Sequence, residues 1–381
     1  MGVMSFPTRI LYGKGSIKEL PNELKRIGAA KPLLVTDKGI LQAGLLRFIS
    51  PLLEHAGIKA PVFSDFAANP TDADAIRGVE AYRAAGADSV LGVGGGASLD
   101  MAKAIALLVN HEPPLARYDD AKGGDAFITA NIPPILQVPT TAGTGSEVGR
   151  STVLVIDGTK VVIFSPHLMA KAAILDPELT VGLPPFITAA TGMDALTHNL
   201  EAYVAKGEHP LADAIAIDGL RRVAANLKRA VQNGKDLEAR QEMLLGSAFG
   251  AIAFQKGLGA CHSVAHALTP IAGTHHGLAN SLMLPVVVSF NRMAAEARLA
   301  DAAVAMGADP KMSAPERAHL CAELVDNLRV ACGLPRKLSQ AGVKREMIPQ
   351  LVEKALADAC HQSNPRPVTE VDFERLINEA F

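Results

Sequence analysis

Ser89-Val90-Leu91-Gly92-Val93-Gly94-Gly95-Gly96-Ala97-Ser98-Leu99-Asp100 is the segment on which the fold turns. A short apolar run, suited to a buried strand, enters three consecutive glycines, and helical spacing takes over from residue 99 to residue 110. Glycine lets the backbone approach a phosphate closely. The helix start behind it offers N–H groups without intrahelical partners and the positive end of a dipole. The run satisfies G-x-G-x-x-A, a pattern that also fits a plain tight strand-to-helix turn. The usual dinucleotide fingerprint follows the first strand, with an acid roughly 20 residues later; here the glycines follow the third strand-like run.

Outward from this turn, the same alternation recurs. Pro32-Leu33-Leu34-Val35-Thr36-Asp37 reads as a buried strand ending in an acid, followed by helical spacing over residues 40–55. Residues 60–63 form a second strand candidate. A helix over residues 71–85 follows, with Thr71 as N-cap and Asp72 and Asp74 in its first turn, where the dipole favours acids. Ile135-Leu136-Gln137-Val138 supplies a fourth strand, running into Pro139-Thr140-Thr141-Ala142-Gly143-Thr144-Gly145-Ser146-Glu147, a second loop rich in glycine and hydroxyls. Such alternation predicts a parallel, doubly wound sheet. Two loops at the C-terminal ends of neighbouring strands would build one crevice, where open α/β sheets bind ligands. Asp37 is placed to accept hydrogen bonds from an adenosine ribose, and its charge would repel a 2′-phosphate, favouring NAD over NADP. The plainer alternative is that Asp37 begins the turn at Lys38-Gly39.

The pattern changes at Leu183-Pro184-Pro185. Beyond it, helical spacing covers residues 186–205, 210–233 and 237–255, and strand-like runs nearly cease. The expected division is an α/β nucleotide-binding N-terminal domain with a parallel sheet, residues 1–184, and an all-α C-terminal metal-binding and catalytic domain, residues 185–381. Composition agrees. Of 381 residues, 49% are hydrophobic and 20% charged, which excludes disorder, and a net charge of −2 with interspersed signs excludes a nucleic-acid-binding face. No apolar run approaches the ~20 residues of a membrane span, and residues 1–14 lack a secretory pattern. The four cysteines, Cys261, Cys321, Cys332 and Cys360, are widely spaced, as expected for free thiols in the cytoplasm.

The second half carries the chemistry-bearing residues. Asp194 and His198 stand four residues apart in Gly192-Met193-Asp194-Ala195-Leu196-Thr197-His198, which places both on one helix face. Cys261-His262 with His266 repeats the spacing, and His275-His276-Gly277 follows. A lone histidine is usually structural. Five of the chain's eleven histidines in these short windows, one of them beside an aspartate, make a borderline N/O set suited to Fe²⁺ or Zn²⁺. Cys261 reads as a buried thiol.

With both loops and the histidine cluster in view, the chain resembles the iron-containing (group III) alcohol dehydrogenase family. The likeness runs from Phe6-Pro7-Thr8-Arg9-Ile10 and Gly13-Lys14-Gly15 to Asn364-Pro365-Arg366-Pro367-Val368-Thr369. It implies a two-part architecture, shared with dehydroquinate synthase-like enzymes, and an active site in the cleft between the parts. It implies Asp194, His198, His262 and His276 as metal ligands, with His266 serving the substrate or a proton relay. The cofactor would contact Asp37, Asn69, Gly95, Gly96, Ala97, Ser98, Thr140, Thr141 and Thr144, with Lys160 near the nicotinamide ribose. The activity implied is interconversion of a small primary alcohol, which includes hydroxy acids, with its aldehyde by hydride transfer to NAD. Four protein ligands leave room for substrate only on an ion accepting five or more, so Fe²⁺ is expected ahead of Zn²⁺. A homodimer or larger homo-oligomer is also implied. The competing readings are a glycerol dehydrogenase-like enzyme, a dehydroquinate synthase-like lyase and a non-catalytic NAD- and metal-binding protein.

Four positions depart from the family. Ala97 stands where serine is frequent, and His275 where proline often precedes the ligand, which leaves spacing to choose between His275 and His276. Arg150 and Lys256 lie in segments that flank the family's substrate pocket. Either one pointing inward would select an acidic substrate; otherwise both are ordinary surface or inter-domain charges.

Overall fold

The computed structural model describes residues 8–381. Phe6 and Pro7 of the N-terminal motif, and half of the stretch read for a secretory signal, lie outside the described residues. Two compact units form. Among the described residues, one holds residues 8–141 and Ser146–Gly182; the other holds Ala142–Gly145 and Leu183–Phe381.

In the α/β unit, six strands form a parallel sheet in the order β1-β8-β5-β4-β2-β3. Their ranges are β1 (Arg9–Tyr12), β2 (Pro32–Val35), β3 (Val62–Phe63), β4 (Ser89–Gly94), β5 (Ile135–Pro139) and β8 (Ala172–Leu175), while β6 (Ser151–Ile156) and β7 (Thr159–Phe164) make a separate antiparallel hairpin. Helices α1 (Leu20–Arg26), α2 (Lys38–Gln42), α3 (Ser50–His55), α4 (Asp72–Ala85) and α5 (Gly96–Asn110) complete the unit. Both faces of the sheet are covered. Leu33, Val35, Val90 and Ile135 pack into one apolar core, while Leu34, Leu91, Val93 and Leu136 pack into another. That is why the central strands read as unbroken apolar runs rather than alternations. β4 and β5 run in register, with Gly94 opposite Pro139, and the Thr140 N–H donates to the Gly94 carbonyl at 2.9 Å. The two glycine-bearing loops therefore leave the sheet side by side.

The expected α4 is present, with Thr71 closing a capping box against Asp74. The single helix expected over residues 40–55 is instead α2, a 3₁₀ turn (Leu45–Phe48) and α3. Gly44 sits in the left-handed region at φ 65° and Pro51 opens α3, so the helix is interrupted between two compatible halves. β1, β8 and the hairpin were not anticipated. The hairpin carried a legible signal, since Asp157-Gly158, at φ 49° and 72°, is the turn pair that joins strands of alternating burial.

The helical unit comprises α6 (Pro185–Val204), α7 (Pro210–Gln232), α8 (Leu237–Ala253), α9 (Ala260–Ala272), α10 (His276–Asn291), α11 (Glu296–Ala305), α12 (Ala314–Ala331), α13 (Ile348–Ala357) and α14 (Glu370–Glu379). Among the described residues no helix is long and apolar enough to cross a membrane. α6 is buried on every side from Thr188 to Val204 apart from a few partly covered positions, which makes it the central helix of the unit. At its entry α10 approaches α6 so closely that a Cβ on Gly277 would run into the Ala190 carbonyl, and Asp194 Cβ would lie 3.3 Å away. Gly277→Ala is therefore expected to lower the melting temperature by several degrees, since overpacking of this kind costs about 1–3 kcal/mol. Differential scanning calorimetry of the two proteins measures the shift.

Candidate active site

Asp194 and His198 lie one turn apart on α6, His262 and His266 one turn apart on α9, and His276 is the first residue of α10. The packing of these three helices brings four of the side chains to one point. Nε2 of His276, His262 and His198 lie 3.5, 3.8 and 3.9 Å from Asp194 Oδ1. Asp194, His198 and His262 are buried, and His276 is partly covered. His198 stacks on His262 with ring centroids 4.7 Å apart. His275 is exposed at the N-terminal boundary of α10, so the geometry selects His276 from the adjacent pair.

The hydrogen bonds define the protonation of two rings. His198 Nδ1 faces the Gly143 carbonyl at 3.2 Å, and His262 Nδ1 faces Glu201 Oε2 at 2.5 Å. A carbonyl and a carboxylate only accept, so each Nδ1 carries a hydrogen, and Nε2 is the atom each ring turns toward Asp194. Asn280 Nδ2 donates to Asp194 Oδ1 at 2.7 Å and lies 3.2 and 3.3 Å from Nε2 of His262 and His276. One amide with two hydrogens cannot satisfy three acceptors. Burial pushes the His198 pKa down to about 4. For His262 burial acts the same way, but the hydrogen bond and charge of Glu201, with Asp194 behind it, outweigh it and raise the pKa. Buried carboxylate and imidazole atoms converging with lone pairs inward fit a divalent cation, and the donor set fits Fe²⁺ or Zn²⁺.

A second group of ligand-type atoms joins His266, Asp358 and Cys360. His266 Nδ1 meets Asp358 Oδ2 at 2.8 Å, and Ser263 Oγ donates to Asp358 Oδ1 at 2.8 Å. Burial opposes ionisation of Asp358, yet His266, the Cys360 N–H and Ser263 hold its pKa far below the carboxylate range. Burial and the neighbouring Asp358 push the Cys360 thiol well up. The Cys261 thiol is buried and likewise raised, donating toward the Asn280 carbonyl at 3.4 Å. All four cysteines are free.

In the α/β unit, Gly94 sits at φ +146°, and a side chain there would collide with Ser98. α5 then begins at Gly96 with no side chain capping its first N–H groups. Gly95, Gly96 and Ala97 are partly covered, whereas Ser98 is buried and its Oγ donates to Asp37 Oδ2 at 2.8 Å. Asp37 Oδ1 meanwhile accepts the Ile40 N–H at 3.0 Å, so the carboxylate does begin the turn into α2. Thr140 is buried with a hydroxyl that finds no partner among the described residues, and the Thr141 side chain would lie 3.4 Å from a Cβ on Gly95. Thr144 belongs with Ala142–Gly145 to the helical unit. Asn69 is exposed, and Lys160, half-buried on β7, is among the charges acting on Asp100.

The two departures from the family that carry positive charge separate. The Lys256 side chain is buried and meets Asp213 at 2.5 Å and the Tyr203 carbonyl at 3.1 Å, sharing the Asp213 carboxylate with Arg298 at 3.0 Å, so it is held inside the helical unit. Arg150 lies 5.0 Å over the Phe164 ring, with no carboxylate in ion-pair reach among the described residues. Burial lowers its pKa. The residues the sequence reading missed are Glu201, Asn280 and Ser263, polar positions along apolar helical patterns, and Asp358, which caps the end of α13. Glu201 alone carried a hint, standing seven residues, two helical turns, beyond Asp194.

Residues 7–177 match the family described as iron-containing alcohol dehydrogenase, and residues 188–381 match the C-terminal part of the Fe-containing alcohol dehydrogenase family. The chain is 40% identical to a 4-hydroxybutyrate dehydrogenase of Cupriavidus necator over 392 residues, covering 100% of both chains. A crystal structure of a 1,3-propanediol oxidoreductase superposes with a TM-score of 0.96 at 36% identity, covering 100% of both chains. A sulfoacetaldehyde reductase from Bifidobacterium kashiwanohense, solved with NAD⁺, reaches a TM-score of 0.90 at 29% identity, covering 100% of this chain and 98% of that one.

Adding Co²⁺ or Zn²⁺ to metal-stripped protein is expected to raise its melting temperature, by an amount corresponding to about 2.7 kcal/mol at a hundredfold excess over Kd. His276→Ala removes the rise and His275→Ala keeps it, as read by differential scanning fluorimetry.

Proposed function

Because the chain belongs to the iron-containing alcohol dehydrogenase family, we propose that it is an NAD(H)-linked, metal-dependent dehydrogenase that interconverts a small primary alcohol and its aldehyde. The observation that carries this reading is the convergence of Asp194 with His198, His262 and His276 around one buried point. In this reading residues 1–184 bind the nucleotide, and residues 185–381 hold the metal and perform the chemistry. Those four side chains would hold the ion, Fe²⁺ before Zn²⁺. When bound, it supplies Lewis-acid stabilisation of the negative charge that develops on the alcohol oxygen as its proton leaves. His266 is the proton acceptor, oriented through its Nδ1 by Asp358.

On the nucleotide side, the backbone of Gly95, Gly96 and Ala97 at the uncapped start of α5 receives the pyrophosphate. Thr140, Thr141, Thr144, Asn69 and Lys160 are the further cofactor contacts. Ser98 acts one step removed, fixing Asp37 rather than touching phosphate with its side chain. Asp37 accepts two hydrogen bonds within the protein, and an ionised carboxylate has about four acceptor sites, so it retains capacity for a ribose hydroxyl. The cytoplasmic and homo-oligomeric expectations belong to the same reading, and the four free thiols fit a reducing compartment.

Two relatives bear the names of anionic substrates, 4-hydroxybutyrate and sulfoacetaldehyde. With the Lys256 ammonium held by Asp213 and the Tyr203 carbonyl, Arg150, which has no carboxylate in ion-pair reach among the described residues, is the better cation for an acidic substrate group, and we assign it that role.

Two measurements test the proposal. NADH absorbance, followed over a panel of primary alcohols with Fe²⁺, Co²⁺ or Zn²⁺ added, is expected to rise. His262→Ala should lose bound metal and turnover together, and near-wild-type rates in that variant after metal removal would overturn the reaction assignment. Arg150→Ala is expected to lower kcat/KM for 4-hydroxybutyrate about 10- to 100-fold, the worth of a charged hydrogen bond, with a far smaller change for butane-1,4-diol. Equal losses on the two substrates end the acid assignment.

A further inference from the structure

The metal-ligand reading leaves Glu201 unexplained. It lies on α6, one turn beyond His198 and two beyond Asp194, and its side chain is 3% exposed. Its only ion-pair partner among the described residues is His262, so a buried negative charge sits there without lysine or arginine. Buried carboxylates in that condition are costly and are retained where something positive answers them.

Its contacts are specific. Oε1 accepts the Cys261 N–H at 2.8 Å, and Oε2 accepts the His262 N–H at 3.4 Å and faces His262 Nδ1 at 2.5 Å. α9 starts at Gly259 with no side-chain cap of its own, and a Cβ on Gly259 would stand 2.6 Å from Oε1. The carboxylate from α6 thus caps α9 and grips the ring of its third residue in the same stroke. Asn280 Nδ2 also lies 3.2 Å from His262 Nε2, on the side of the ring away from Glu201.

We infer that Glu201 is the positioning residue of the metal centre, holding His262 as the Nδ1–H tautomer with Nε2 aimed at the point shared with Asp194, His198 and His276. Carboxylates that accept from the far nitrogen of a ligating imidazole raise its basicity and fix its orientation, and their loss weakens metal binding about 10- to 100-fold. The inference rests on the metal-ligand reading above, and the test separates the two.

Metal-stripped wild type, Glu201→Gln and His276→Ala are titrated with Co²⁺, reading the visible d–d absorption band and, by chelator competition, the dissociation constant. The melting temperature of each metal-free protein is recorded alongside. Glutamine keeps an oxygen for the backbone N–H groups of α9 but lacks the charge. Glu201→Gln is expected to bind Co²⁺ 10- to 100-fold more weakly with a shifted band. A purely structural Glu201 would lower the metal-free melting temperature while leaving affinity and band as in wild type, and that result overturns the inference. Wild type that binds no Co²⁺, or binds it equally after His276→Ala, overturns the ligand reading and the inference with it. Should Glu201→Gln fail to fold, Glu201→Asp, with a carboxylate one methylene further from the ring, carries the same expectation.

Discussion

Three imidazole nitrogens, each within 4 Å of one carboxylate oxygen of Asp194 and mostly buried, repel that oxygen unless a positive charge lies among them. The rest of the helical unit is organised around that constraint. α6 can carry both Asp194 and His198 inward only because it is enclosed by neighbouring helices. Gly277 lets α10 come close enough to deliver His276. Gly143 and Glu201 each take the Nδ1 hydrogen of one ring and so turn its Nε2 inward. Asn280 donates into the cluster but has too few hydrogens to quench it. The arrangement is complementary to a cation in the way a preorganised site should be, with geometry set by partners outside the ligand shell.

The α/β unit is built on a related principle applied to an anion. Several helices end in side-chain caps, among them α4 at Thr71, α8 at Asp236 and α14 at Thr369. α5 has no such cap and starts from a glycine turn where a side chain would strike Ser98. Side by side with it, Thr140 hangs by its N–H from the Gly94 carbonyl while its hydroxyl finds no protein partner among the described residues. Unsatisfied donors at a helix start next to a buried hydroxyl suit a pyrophosphate. Asp37 and Ser98 lock the turn together across 61 positions of sequence.

Much of this was legible in the chain. Strands buried on both faces announce themselves as unbroken apolar runs, so β2, β4 and β5 could be read directly. The i, i+4 pairs on α6 and α9 followed from helical geometry, and the histidine windows from their density. Other features depend on contacts that spacing cannot express. The choice of His276 over His275 is made by the approach of α10 to α6. Ser98 is equally suited by type to phosphate or to Asp37, and only the fold decides. Lys256 reads equally as a substrate cation or as an ordinary charge, and its partner Asp213 stands 43 positions away in the sequence. Glu201 and Asn280 are isolated polar residues in apolar helices, a pattern that sequence alone assigns to no partner. The break in the 40–55 helix was encoded in Gly44 and Pro51, and the hairpin in Asp157-Gly158; those two signals were present and passed over.

The central claim concerns where one ion sits. Anomalous diffraction at the cobalt or iron edge, from crystals of metal-loaded protein, locates it without reference to activity. The account predicts a single strong peak within about 2.0–2.3 Å of a carboxylate oxygen of Asp194 and Nε2 of His198, His262 and His276. A peak at His266, Asp358 and Cys360 instead, or none in a protein that oxidises alcohols with NAD, would contradict it.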